Sequence, residues 1–80
     1  MSKYRVQYTD NALAGYNALS SSKRREFDRA VDSMSYSPRT YGDAIRGNPD
    51  RRTAVLAGVI TEYEVSSGVL VVTMLHVRGL

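Results

Sequence analysis

The 80-residue chain holds one histidine, His76, two residues before Arg78 in the closing stretch "VVTMLHVRGL". Glu62 lies in an earlier run, "VITEYEV", of the same β-branched character. If the two runs are neighbouring strands, a carboxylate, an imidazole and a guanidinium share one exposed sheet surface. Such a trio can do acid–base work on a phosphodiester, the arginine stabilising negative charge as it develops. Histidine ordinarily titrates near neutrality, which suits proton transfer. The plainer reading is a surface histidine near a chain end, which is the commoner case.

Strand alternation decides which side chains share that surface. Val59, Thr61, Tyr63 and Val65 form one face of the earlier run, with Ile60, Glu62 and Glu64 on the other. In the last run the same rule groups Val69, Val71, Thr73, Leu75 and Val77 against Leu70, Val72, Met74, His76 and Arg78. The first group of each run is expected to face a helical layer. The second is expected on the open side, where Ile60, Leu70, Val72 and Met74 would form an apolar patch that calls for a covering partner.

The remaining elements follow from periodicity. "KYRVQY" alternates Tyr4, Val6 and Tyr8 with Lys3, Arg5 and Gln7, a half-buried strand. Thr9 or Asp10 then caps a short helix with Leu13, Tyr16 and Leu19 as its stripe, weakened by Gly15. The "SSS" run caps a second helix, where Phe27, Ala30, Val31 and Met34 recur at helical spacing, and Pro38 ends it. Residues 38–52 read as a long connection with a turn at "GNPD". Turns at "AG" and "SSG" divide the rest into strands Thr53–Ala57, Val59–Val65 and Val69–Val77. The expected fold is α+β and two-layered, β-α-α-β-β-β, an antiparallel sheet with a helical hairpin on one face and the first strand at or beside an edge.

Composition narrows the function classes. Eighty residues make one domain, spanning 1–80, near the size where a single core only just offsets chain entropy. No cysteine and one histidine exclude disulfides, thiolate metal sites and multi-histidine zinc sites, so neither cofactor nor metal is expected. The start "MSKYRVQYTD" lacks a signal-peptide core, and no apolar run approaches the roughly 18 residues of a membrane span, so the cytoplasm is the expected location. The net charge of +3 is carried mainly by arginine, only Lys3 and Lys23 being lysines. Arginine's planar fork suits phosphate, although a charge this modest does not by itself indicate nucleic acid. "KRRE" is most simply the polar face of the second helix, and the pair Arg51–Arg52 a solvated loop.

The element order, the "SPRTYGDAIRG" connection and the "YEVSSGVLVVTMLHVR" hairpin resemble the RelE/ParE toxins of bacterial type II toxin–antitoxin systems over nearly the whole chain. The resemblance implies a ribosome-dependent messenger-RNA endonuclease working without metal through basic residues of the open sheet face, and a cognate antitoxin wrapped around it. Carried over by position, His76, Arg78, Arg52 and Glu62 are the implied catalytic residues. Arg51 and Arg52, with Lys23 and Arg24 of "KRRE", are the implied RNA contacts. The ParE branch of the family implies an inhibitor of DNA gyrase instead. Ile60 stands where relatives usually carry arginine, and the C-terminal aromatic of several family RNases is unmatched, which implies a third role as a weak catalyst acting mainly by binding its antitoxin.

Overall fold

The computed structural model describes residues 3–79; Met1, Ser2 and Leu80, part of the expected domain, lie outside them. The elements run β1 (Arg5–Tyr8), α1 (Asp10–Asn17), α2 (Ser21–Met34), a single 3-10 turn (Pro38–Thr40), β2 (Asp43–Ile45), β3 (Asn48–Leu56), β4 (Val59–Ser66) and β5 (Val71–Gly79). Thr9 caps α1, its hydroxyl accepting from the Ala12 amide, and Ser20 caps α2 by accepting from Lys23. Met34 is the last residue of α2, and Pro38 opens the 3-10 turn beyond it. Among the described residues no helix is long and apolar enough to cross a membrane.

Both helices lie on one face of a five-stranded sheet of order β1-β5-β4-β3-β2, the α+β two-layer arrangement. Phe27, Val31 and Met34 of α2 and Ala12 of α1, with Leu19 from the bend between the helices, pack against Ala54, Leu56, Val59, Tyr63, Val65, Val72, Met74 and Val77. Full burial of a side chain such as Phe27 or Met34 contributes about 1.5–3 kcal/mol. Leu13, expected in the α1 stripe, is exposed, and Ala12 takes the buried place. The small residue lets the short helix approach β5 closely.

Three features differ from the expected meander. The sheet is mixed, because β1 runs parallel to β5; alternation reveals faces but not strand direction. The connection before Thr53 contains an extra edge strand, β2, and β3 starts at Asn48 rather than Thr53. Within that connection the turn falls on Arg46–Gly47, two residues before the centre of "GNPD", with both residues at positive φ (52° and 77°) as a tight primed turn requires.

The third difference lies in β5. Tyr63 pairs with Met74 and Glu62 with His76, so Leu75 is an extra residue, a β-bulge. Before the bulge Val72 and Met74 face the helices and are fully buried; after it Val77 does. The expected open-face patch of Ile60, Leu70, Val72 and Met74 is therefore not formed. The bulge shifts the side-chain alternation by one, which moves Val72 and Met74 into the core while leaving His76 and Arg78 on the open face.

Candidate functional site

The open face takes its members from register. His76 lies opposite Glu62, Arg78 opposite Ile60, and Thr73 opposite Glu64. On the other side of β4, Arg51 is opposite Glu64, Thr53 opposite Glu62, and Val55 opposite Ile60. The carboxylate, imidazole and guanidinium singled out from sequence thus share one surface. Asn11, Thr53, Ile60, Glu62, His76 and Arg78 line a cleft of about 370 Å³ there. A neighbouring cleft of about 430 Å³, lined by Ile45, Arg46, Asn48 and Arg51, meets the first at Glu62.

Arg51 and the two glutamates form one ion-pair group. A guanidinium nitrogen donates to Glu62 Oε2 at 3.2 Å, and a second lies 3.7 Å from Glu64 Oε2. All three side chains are partly open to solvent, so each pair is worth at most about 1 kcal/mol. The group orients Arg51 along the groove. His76 is exposed, with its Nδ1 3.3 Å from Asn11 Oδ1.

Arg52 does not join this face. In register it pairs with Tyr63, on the helical side, and is only 9% exposed. Its guanidinium donates to the carbonyls of Tyr41 (2.8 Å), Gly42 (3.1 Å) and Pro49 (3.2 Å), clamping the β2–β3 hairpin to the sheet. With its donors committed to these part-buried carbonyls on the helical side, it does not join the groove, which corrects its expected place among the catalytic and RNA-binding residues. The Tyr63 hydroxyl donates to the Pro38 carbonyl at 2.7 Å beside it. Burial pushes the Tyr63 phenol up, and the Arg52 guanidinium opposes that shift.

Lys23 and Arg24 are also apart from the open face. Both belong to the first turn of α2, where Lys23 Nζ donates to the Ala57 carbonyl at 3.2 Å. Arg24 donates to the carbonyls of Leu19 (2.8 Å) and Asn17 (3.2 Å). Their charges close the junction between helices and sheet. Of the expected residues, the fold brings together His76, Arg78, Glu62 and Arg51, and separates Arg52, Lys23 and Arg24.

Asn11 and Arg46 line the clefts without having been anticipated. Asn11 sits on a helix whose sequence pattern signals only its buried stripe. Arg46 stood in a segment with no sustained period. Among the described residues no group of histidines and carboxylates is arranged to hold a metal ion.

No protein-family model matches this sequence, and no curated protein is significantly similar to it. Solved structures are similar in shape. The isolated RelE toxin of E. coli superposes with a TM-score of 0.80 at 26% identity, covering 95% of this chain and 83% of that one. A chain of a RelBE toxin–antitoxin complex from Mycobacterium tuberculosis gives 0.87 at 18% identity, over 100% and 94%. A ParDE system chain from P. aeruginosa gives 0.66 at 12% identity, over 98% and 97%. Two helices on one face of a β1-β5-β4-β3-β2 sheet give this chain the fold of the RelE/ParE-like class of toxins. Within that class its shape stands with RelE rather than ParE.

Proposed function

We propose that the chain is the toxin of a type II toxin–antitoxin pair, and that it cleaves messenger RNA on the ribosome, in the cytoplasm, through its open sheet face. The observation that carries this reading is the direct opposition of Glu62 and His76 across β4 and β5, with Arg78 and Arg51 on the same face. Cleavage by the neighbouring ribose needs a base for the 2′-hydroxyl, an acid for the leaving 5′-oxygen and positive charge at the phosphate. Glu62 takes the 2′-hydroxyl proton as that oxygen bonds to phosphorus. The bond from phosphorus to the 5′-oxygen breaks, and protonated His76 gives its proton to the departing oxygen. Arg78 and Arg51 hold the non-bridging oxygens, Arg51 exchanging a carboxylate for phosphate. The products are a 2′,3′-cyclic phosphate and a 5′-hydroxyl.

An antitoxin is the second partner in this reading, supported by the similarity to a chain of a RelBE toxin–antitoxin complex. Two exposed apolar spots remain for it to cover, Val69 and Leu70 with Tyr36 on one side, and the cross-strand pair of Val55 and Ile60 on the groove's rim.

The test is induction of the chain alone in a bacterial host, with primer extension on total mRNA for wild type, His76→Ala and Glu62→Gln in parallel. Discrete cleavage lost in both variants is expected. Growth arrest with intact mRNA would overturn the nuclease reading in favour of a gyrase-directed toxin. Intact mRNA with normal growth would leave antitoxin binding as the main activity.

A further inference from the structure

We propose that Asn11 is the positioning residue of His76: its amide oxygen holds a proton on Nδ1, so that Nε2 is the ring nitrogen that exchanges a proton in the groove. The proposal rests on the reading of His76 as a proton-transfer group, yet what it states about the ring holds whatever the substrate.

The geometry begins at the sheet edge. β1 pairs with β5 only as far as Met74. Beyond that residue β5 has no strand on its outer side, and α1 lies there instead. The Thr9 amide donates to the Met74 carbonyl at 3.0 Å, and the Thr9 hydroxyl donates to the Leu75 carbonyl at 3.2 Å. Further along, Gly15 rests so close to the Val77 carbonyl that a methyl group would overlap it. The helix is thus fastened to the bulged edge on both sides of His76, and Asn11 stands between the fastenings.

Asn11 has no other evident task. Thr9 already caps the helix by accepting from Ala12, so a second capping side chain in the first turn is not needed. The side chain is exposed and fills no core space. Its amide oxygen lies 3.3 Å from His76 Nδ1, and both residues line the groove with Glu62 and Arg78. An amide oxygen only accepts, so the ring must present Nδ1–H to it, and the partner of one ring nitrogen decides the role of the other. The protonated ring then gives up Nε2–H, and the neutral ring keeps Nδ1–H. Free histidine prefers the opposite tautomer, so the contact has a measurable signature.

His76 is the only histidine, so its ring nitrogens give a single pair of ¹⁵N signals. The experiment is ¹⁵N NMR of the full chain, with base added until the ring signals stop moving, for wild type, Asn11→Ala and Asn11→Asp, with circular dichroism confirming the fold of each. Nδ1–H as the major tautomer in wild type, reverting to Nε2–H in Asn11→Ala and restored in Asn11→Asp, is expected. A wild-type ring with Nε2–H dominant, its proton directed at Glu62, would overturn the proposal, as would a tautomer unchanged in Asn11→Ala. In cleavage assays Asn11→Ala is expected to lower kcat roughly tenfold with KM unchanged. Expected tautomers in a chain that leaves RNA intact would uphold the positioning and overturn the nuclease reading alone.

Discussion

Arg51 and Arg52 are adjacent in sequence and opposite in role, and replacing each separates the two. Arg52 gives three hydrogen bonds to the carbonyls of Tyr41, Gly42 and Pro49, and these hold the β2–β3 hairpin. A hydrogen bond to a charged group contributes about 1.5–3 kcal/mol, and three on one guanidinium are not additive, so Arg52→Ala is expected to cost about 3 kcal/mol. A domain this small has a total stability of roughly 4–12 kcal/mol. The corresponding fall in Tm is roughly 12–24 °C. Arg51→Ala removes only part-exposed ion pairs and is expected to change stability by less than about 1 kcal/mol. Urea and thermal unfolding followed by circular dichroism give both values, and mRNA cleavage by each variant at a temperature where it is folded gives the other axis. Arg51→Ala should lose activity without stability, and Arg52→Ala stability before activity. An Arg52→Ala protein as stable as wild type but inactive would refute the structural assignment of this side chain.

Other expectations follow from the same geometry. Gly15→Ala would ordinarily stabilise a helix by about 1 kcal/mol, but the added methyl meets the Val77 carbonyl, and overpacking of that kind costs about 1–3 kcal/mol. Net destabilisation by urea unfolding is expected, and a raised midpoint would show that α1 does not lie against β5 so closely. Burial pushes the Tyr8 phenol from its ordinary 10.0 to about 12. The folded state then holds that proton through a range where the unfolded chain releases it, so stability is fully present below pH 10 and falls as the pH rises towards 12. Tyr8→Phe should flatten that fall, measured as the urea midpoint across the alkaline range. Glu62→Gln should lower mRNA cleavage by about 10²–10⁴-fold, the usual share of a general base, and unaltered cleavage would take Glu62 out of the mechanism.

Much of the architecture was legible from periodicity, because burial of one face imposes a repeat on the side chains. The strict alternation of Val59, Thr61, Tyr63 and Val65 marks β4 and sends Glu62 to the open side, as observed. The spacing of Phe27, Val31 and Met34 marks the buried face of α2, and the hydroxyls of Thr9 and Ser20 mark the helix starts. These signals are local: each needs only a chain segment and one apolar surface.

β5 shows where local signals end. His76 and Arg78 face outward as alternation indicates, but Val72 and Met74 do not, because Leu75 is an unpaired residue that resets the repeat halfway along the strand. A bulge is a property of two strands in register, and no single run of residues records it. The parallel pairing of β1 with β5 belongs to the same kind, being decided by chain segments some sixty residues apart. Arg51 and Arg52 carry identical side chains, so composition assigns them identical parts. Only the extension of β3 back to Asn48 turns one towards Glu62 and the other under the hairpin. The sequence by itself determined which residue types were present for proton transfer and phosphate binding, and which elements would carry them. Tertiary structure decided which of them meet, because strand register, the bulge and the docking of α1 on an open edge are set by packing between distant segments.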